Sequence, residues 1–313
     1  MPVSKTRGNI TQSLHKNIRK YYGLLTVLCV ILGVIFPQFS VLSPYISLLL
    51  AVLVFSMVIE HKVNDFTRIL NHPKKVLALL ISNLILYPVI GTLFSYFFLL
   101  PHDIYIGIIL LCFAPSPVVA ALWSELSKGD GAISVTTALF SMMLSIFTYP
   151  LILYFMGIAS PHLAVSIFKL LALSIFAPAV IALFLRVEED KYIPSRNIIT
   201  LLSSFVSLII IVIAVAHMVS NFMSSEFSLI LTLGILVVVL LTAGFGYGYI
   251  LGKLFKAPKK YSIPFLYSSS MRDGIIPLSV AITYFSSSST IASTLLLIVM
   301  PFLVAGVYYI LRR

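Results

Sequence analysis

Long apolar runs, separated by short polar segments, repeat along nearly the whole chain. A helix needs about 20 apolar residues to cross the hydrocarbon core of a membrane. The pattern therefore predicts an all-α membrane protein with ten transmembrane helices. The predicted spans are 21–39, 44–60, 76–100, 104–127, 131–157, 163–186, 197–217, 227–250, 262–284 and 290–311.

Two of these spans contain residues that interrupt a helix. In the fourth span, Pro115 and Pro117 lack a backbone N–H and clash with the preceding turn. In the ninth span, the largely polar segment 268–274 and Pro277 interrupt an apolar run. Unpaired backbone groups are costly in hydrocarbon, so such interruptions are tolerated mainly where they line a cavity. The alternative for each is a kink that packs against a neighbouring helix.

The ten spans divide into two sets of five, 21–157 and 163–311. Because each set contains an odd number of spans, the two sets have opposite orientations, which is the inverted-repeat arrangement common in secondary transporters. The fourth and ninth spans would then be equivalent elements. We expect these two discontinuous helices to cross at a binding site near the middle of the membrane.

The basic residues agree with this layout. Of the 21 Lys and Arg residues, 19 lie in the tail 1–20, in the segments predicted on the inner side or at the inner end of a span. The other two, Lys169 and Arg272, lie in the interior of spans. Cytoplasmic loops of membrane proteins carry such an excess of Lys and Arg. We therefore predict a multi-pass protein of the plasma or inner membrane with both termini cytoplasmic. The net charge of +11 is explained by this orientation and not by nucleic-acid binding.

Composition excludes an ordinary soluble globule, since 60% of the residues are hydrophobic and only 10% are charged. The sequence contains no HExxH, GxSxG or phosphate-loop motif, so we predict neither an enzyme nor a bound cofactor. Cys29 and Cys112 both lie in apolar runs and suggest neither a disulfide nor a thiolate metal site.

Arg272 and Asp273 are the most informative candidate residues. An arginine near the centre of a span costs about 2.5–3.5 kcal/mol on insertion scales, so it should face the protein interior. The functional interpretation is a fixed cation that binds an anionic substrate or occupies the place of a coupling ion, and the alternative is a buried ion pair that joins two helices. Asp273 either carries a proton or neutralises Arg272.

Neutral polar side chains within the spans complete the candidate site. They are expected to offer hydrogen bonds to a substrate or ion, although such groups also commonly bond within or between helices. These residues are Asn83, Ser116, Ser134, Ser268 and Ser270.

Several of these segments resemble the bile acid:sodium symporter superfamily. Ala114-Pro115, the Leu-Ser-Lys-Gly-Asp of 126–130 and the run 132–136 are similar to the fourth and fifth spans of that family. Asn83, five residues before Pro88, is similar to a glutamine in the family's third span. The segment 268–274 aligns with the family's Glu-x-Gly-x-Gln-Asn signature of the ninth span.

The resemblance implies a carrier of a small organic anion that works by alternating access. A core of spans 3–5 and 8–10 would move against a panel of spans 1, 2, 6 and 7, within the lipid bilayer. The crossed fourth and ninth helices would frame the substrate and ion sites, with Na⁺ or H⁺ as the coupling ion.

The chain departs from this family at the sodium ligands. The family's Ser-Asn pair falls on Ala120 and Ala121, its glutamate on Ser268, its glutamine on Arg272 and its asparagine on Asp273. Asn83 and Ser134 keep oxygen atoms, but a guanidinium repels a cation at short range. We therefore expect a degenerate sodium site in which Arg272 takes the place of sodium, giving a sodium-independent or proton-coupled carrier.

The stretch 123–130 is also similar to arsenite exporters of the same superfamily, but their key cysteine falls on Ser116. Efflux of a metalloid or another neutral solute is the alternative transport function. From a different class, a membrane receptor or scaffold without transport activity is the further alternative.

Overall fold

The computed structural model describes residues 24–60, 73–188, 196–221 and 227–312, and the predicted tail 1–20 lies outside these ranges. Within them every regular element is helical. In chain order the α-helices are α1 Leu24–Ile35, α2 Ile46–Glu60, α3 Pro73–Phe97, α4 His102–Cys112, α5 Val119–Leu126, α6 Gly131–Phe155, α7 Pro161–Leu171, α8 Ala177–Glu188, α9 Arg196–Asn221, α10 Phe227–Leu254, α11 Lys259–Ser270, α12 Ile275–Tyr284 and α13 Ile291–Arg312.

The predicted fold class, an all-α membrane protein, is confirmed. Seven helical segments are long and apolar enough to cross a membrane: Pro37–Ile59, Pro73–Phe97, Gly131–Phe155, Pro161–Leu185, Ile198–Asn221, Ser228–Leu254 and Ser287–Arg312. The helices α1 and α4 are apolar but shorter. The number of crossings, ten, therefore stays a prediction, as do the inverted repeats and the division into core and panel.

Prolines set several helix boundaries. The first predicted span, 21–39, ends early, because Pro37 begins a 3₁₀ helix, Pro37–Tyr45, that leads directly into α2. A π-helical turn, Ala172–Phe176, joins α7 to α8 just before Pro178. Such a turn accommodates the missing N–H and the ring of a proline within a long helix.

Both predicted interruptions are present in the structure. The first break comprises residues 113–118, between α4 and α5, and the second break comprises residues 271–274, between α11 and α12. Each divides a predicted span into two shorter helices. The backbone is therefore irregular near the middle of each of these two predicted spans.

Several pairs of helices form extensive contacts. Helix α2 packs against α8, α9 and the 3₁₀ helix before it, whereas α10 packs along α11 and α13, and α5 packs on α6 and α11. The contact between α10 and α11 is close enough that a Cβ added at Gly248 would lie 2.7 Å from the Cα of Leu266. Both broken helices therefore belong to a tightly packed group.

Three segments predicted on the inner side lie together at one end of the molecule. The Lys75 ammonium lies 4.0 Å from the centre of the Tyr261 ring. The backbone N–H of Asp130 donates to the carbonyl of Lys260 at 2.8 Å, and the two side chains form an ion pair at 3.9 Å. The structure thus brings 73–75, 128–130 and 259–261 to a common basic surface.

Candidate substrate and ion site at the two breaks

The carbonyl groups released at the first break accept hydrogen bonds from α6 and from the second break. The Tyr149 hydroxyl of α6 donates to the carbonyl of Leu110 at 2.8 Å. The Arg272 Nη1 donates to the carbonyl of Ala114 at 3.0 Å. The backbone N–H of Asp273 donates to the carbonyl of Pro115 at 2.8 Å. The two breaks are therefore in direct contact.

Side chains of α3 donate hydrogen bonds to carbonyl groups at the C-terminal end of α11, beside the second break. The Asn83 Nδ2 donates to the carbonyl of Ser268 at 3.2 Å. The Tyr87 hydroxyl donates to the carbonyl of Ser270 at 2.6 Å. Because Asn83 and Tyr87 are four residues apart, they lie on the same face of α3. Their acceptors are two carbonyl groups in the last turn of α11. This face of α3 holds the break in place.

The guanidinium of Arg272 lies at the centre of these contacts and is only 1% exposed. Its Nη2 donates to the Asn83 Oδ1 at 2.9 Å, in addition to the Nη1 bond to Ala114. Its carbon Cζ lies 3.7 Å from the centre of the Tyr87 ring. The Nε is buried without a hydrogen-bond partner. Within the described ranges Arg272 forms no ion pair with a carboxylate.

Helix dipoles and the aromatic ring explain how this charge is accommodated. The first halves of both broken helices end in carbonyl groups, and these ends carry partial negative charge. The guanidinium bonds directly to a carbonyl beyond the end of α4 and reaches the end of α11 through Asn83. The face of Tyr87 adds a favourable cation–π contact. Arg272 thus occupies a position that attracts a cation.

Asp273 lies at a helix N-terminus, that of α12. Its Oδ1 accepts hydrogen bonds from the backbone N–H groups of Ile275 at 2.8 Å and Ile276 at 3.2 Å, in the first turn of α12. A carboxylate is favourable there because a helix N-terminus carries partial positive charge and unpaired N–H groups. An ion pair between neighbouring Arg272 and Asp273 is therefore not the observed arrangement.

The predicted serines are all buried, but they differ in their partners. Ser116 donates its backbone N–H to the Ser141 hydroxyl at 3.1 Å, whereas its own hydroxyl has no partner. The hydroxyl of Ser268 also has no partner. Ser270 donates to the carbonyl of Leu241, 2.7 Å away. These three residues therefore lie in or beside the breaks.

Ser134 differs from the other candidates. Its hydroxyl forms a hydrogen bond of 2.8 Å with the Ser124 hydroxyl, which also donates to the carbonyl of Ala120. In the described part of the chain, Ser134 forms no hydrogen bond with Arg272 or Asn83. The structure therefore brings Asn83, Arg272 and Ser268 together and places Ser134 in a separate polar pair.

Sequence reasoning missed the two tyrosines of the site. Tyr87 contacts Arg272 by its ring and Ser270 by its hydroxyl, while Tyr149 bonds the carbonyl of Leu110. The spacing from Asn83 to Tyr87 is a signal that predicts a shared helix face. For Tyr149 there is no comparable local signal, since its partner lies 39 residues away.

Comparison with known proteins identifies the family of the chain. The family model described as the Sodium Bile acid symporter family matches residues 47–226. The chain belongs to this family. It is also similar to a protein named uncharacterized sodium-dependent transporter YocS, from Bacillus subtilis (strain 168), with 24% identity over 284 residues, covering 88% of this chain and 85% of the relative.

Membership of the symporter family confirms the predicted resemblance and the classification as a transporter rather than an enzyme. The chain is therefore a multi-pass membrane protein that acts on a small molecule.

The oxygen atoms around Arg272 do not fit the sodium ion that the family's name implies. Sodium is a hard cation and requires several oxygen ligands. Here the Asn83 Oδ1 accepts from Arg272, the Ser134 hydroxyl is paired with Ser124, and Ala120 and Ala121 have no side-chain oxygen. The guanidinium would also repel a nearby cation. In the described residues there is likewise no group of three His, Cys, Asp or Glu side chains that could hold a metal ion.

Proposed function

We propose that this chain carries a small organic anion across the cell membrane by alternating access, with Arg272 in the place of the coupling sodium ion. The observation that carries this proposal is the buried guanidinium, bonded to Ala114 and Asn83 where the two breaks meet. Membership of a family of sodium symporters supports transport as the general function. The fixed positive charge of Arg272 is the reason for proposing that sodium is not the coupling ion.

The proposed topology has ten spans in two inverted repeats, 21–157 and 163–311, with both termini cytoplasmic. The positions of the breaks support it, since each interrupts the fourth span of its repeat. The common surface of 73–75, 128–130 and 259–261 also supports it, because these basic segments are predicted on the same side. Spans 3–5 and 8–10 would form the core, and spans 1, 2, 6 and 7 the panel.

Contacts within each proposed unit support a movement of core against panel, although α6 of the core also packs on α7 of the panel. The contacts of α2 with α8 and α9 lie within the proposed panel, and those of α10 with α11 and α13 lie within the proposed core. The hydrogen bonds between the breaks, including Arg272 to Ala114, lie wholly within the core. The site would therefore move as one unit while it faces first one side of the membrane and then the other.

The proposed substrate-binding residues are those predicted from the sequence, of which Ser134 lies in a separate polar pair: Asn83, Ser116, Ser134, Ser268, Ser270, Arg272 and Asp273. Arg272 acts on the substrate through its charge and not through a direct hydrogen bond. Its Nη atoms already bond to protein atoms, and its side chain is buried. The unpaired hydroxyls of Ser116 and Ser268 are the groups still able to bond to a substrate or a water molecule. An anion is favoured as substrate by the family's description and by the fixed positive charge.

Transport in proteoliposomes tests the role of Arg272. Purified protein is assayed for uptake of radiolabelled pyruvate, lactate and cholate in sodium buffer and in potassium buffer. We expect wild-type uptake of at least one anion to be equal in the two buffers. We expect Arg272→Gln to lose this uptake or to make it depend on sodium. Lys260→Gln, which removes an exposed lysine, is the matched control and should resemble wild type.

A steep sodium requirement of the wild-type protein would overturn the replacement of sodium by Arg272. It would make the chain resemble its relative from Bacillus subtilis, whose name describes a sodium-dependent transporter. Absence of uptake and of exchange for every anion would instead favour a receptor or scaffold without transport. Efflux of a soft metalloid has less support, because Ser116 replaces a thiol and Cys112 is fully buried.

A further inference from the structure

Helix α12, the second half of the broken ninth span, is enclosed by other helices. All of its residues from Ile275 to Ala281 are buried. It packs on α4 and α13 of the proposed core, and also on α2 and α7 of the proposed panel and on the 3₁₀ helix Pro37–Tyr45 that precedes α2. This half of the broken helix therefore lies between the two proposed units.

Two hydrogen bonds join α12 to helices of the proposed panel. The Ser279 hydroxyl donates to the Ser47 hydroxyl in the first turn of α2, at 3.2 Å. The Tyr284 hydroxyl, at the end of α12, donates to the carbonyl of Ser166 in the second turn of α7, at 2.8 Å. Each bond connects the core with the panel, so both bonds must break if the two units separate at α12.

The other ends of the two broken helices, α5 and α11, have different neighbours. Among the described helices, the extensive contacts of α5 are with α6, α11 and α13, and those of α11 are with α3, α5, α6 and α10. All of these helices belong to the proposed core. At the end of α5, Glu125 and Leu126 are exposed. The core thus meets the panel through α12, while α5 and α11 pack within the core.

The course of the chain shows which side of the molecule α12 closes. Helix α11 begins at the common basic surface of 73–75, 128–130 and 259–261, so α12 continues from it toward the opposite end. Helix α6 also begins beside this surface, and α7 begins shortly after α6 has ended. Basic segments mark the cytoplasmic side. The bond between Tyr284 and Ser166 therefore lies toward the predicted outer side.

We infer, on the basis of the carrier function proposed above, that the structure is the inward-open state and that Ser279 and Tyr284 are gate residues that hold its outer side closed. Movement of the core breaks both bonds and opens the surface between α12 and the panel to the outside. The bonds exist only in the closed arrangement, so removing one of them shifts the equilibrium toward the outward-open state.

A disulfide across the gate provides the first test. The hydroxyl oxygens of Ser47 and Ser279 are 3.2 Å apart, so Ser47→Cys combined with Ser279→Cys places two thiols close enough to be oxidised to a disulfide. Free thiols are counted by gel shift with a maleimide polymer after denaturation, against the native Cys29 and Cys112. Ser47→Cys combined with Val280→Cys is the matched control, because successive residues of a helix point about 100° apart.

We expect oxidation to remove both introduced thiols of the first pair and neither of the control pair. Uptake of radiolabelled pyruvate, lactate or cholate by proteoliposomes should be lost with the disulfide and restored when the same protein is reduced. Recovery on reduction shows that the fold is intact. Failure of the disulfide to form, or unchanged uptake when it has formed, would overturn the gate while leaving the carrier function standing. Absence of uptake by wild type would refute the carrier function and the gate with it.

Tyr284→Phe provides the second test, which needs no substrate. In intact cells, a membrane-impermeant thiol reagent added outside reacts with the thiol of Ser47→Cys when the gate opens, and labelling of wild type is subtracted. Loss of one hydrogen bond should raise this rate about fivefold. Tyr154→Phe, at an exposed position, is the matched control and should leave the rate unchanged. Equal rates in the Tyr284→Phe and Tyr154→Phe backgrounds would exclude Tyr284 as a gate residue.

Discussion

The close contact between α10 and α11 gives a prediction that depends on two glycines only two residues apart. A Cβ added at Gly244 would meet the Tyr87 hydroxyl and would lie 2.5 Å from the Cα of Ser270 and 2.8 Å from the carbonyl oxygen of Ser269. A Cβ added at Gly246 would meet no atom within 4 Å. The two positions therefore differ in packing while they share the same helix.

The expected difference in unfolding free energy follows from these distances. Carbon atoms in contact are normally about 3.5–4.0 Å apart, so Gly244→Ala requires α10 and the backbone of Ser270 to separate by about 1 Å. Overpacking of this kind costs about 1–3 kcal/mol. Replacing glycine by alanine within a helix is otherwise favourable by about 1 kcal/mol. Because both variants gain this term, the difference in unfolding free energy between them should be about 1–3 kcal/mol, with Gly244→Ala the less stable.

The assay is thermal unfolding of the purified protein in detergent, comparing wild type, Gly244→Ala and Gly246→Ala. We expect a lower midpoint for Gly244→Ala than for Gly246→Ala, and a Gly246→Ala midpoint equal to or above that of wild type. Uptake by Gly244→Ala should also fall, since a shift of about 1 Å at a binding site can cost about a hundredfold in rate. Equal midpoints for the two variants would refute the close packing of α10 on the second break.

Three further predictions concern single hydrogen bonds and are checked by the same unfolding measurement. Tyr87→Phe leaves a buried carbonyl of the second break unpaired and should cost about 1–3 kcal/mol, whereas Tyr154→Phe, at an exposed position, should cost little. Asp130→Ala removes the cap of α6 and should cost about 1 kcal/mol, but Asp130→Asn keeps a cap and should lose less. Ser141→Ala removes the acceptor of a backbone N–H in the first break and should destabilise more than Ser145→Ala, whose hydroxyl bonds within its own helix.

The residue types alone were sufficient to predict several parts of this protein. Apolar runs of spanning length predicted a helical membrane protein, because a chain in hydrocarbon must pair its own backbone groups. Pro115 and Pro117 predicted the first break, since a proline removes a helical hydrogen bond wherever it occurs. The polar segment 268–274 predicted the second. Arg272 was predicted to be buried among protein atoms because lipid offers a guanidinium no partner.

Only the tertiary structure decided which partners these groups have. Arg272 bonds to Asn83 and Ala114 across separations of 189 and 158 residues, and Tyr87 bonds to Ser270 across 183. Local sequence carries no signal for such pairs, because they depend on how whole helices cross. The same holds for Asp273, for which neutralisation of Arg272 was one of the two alternatives left open by the sequence. The turn of the backbone at the second break directs its carboxylate to the N-terminus of α12 instead, where unpaired N–H groups attract it.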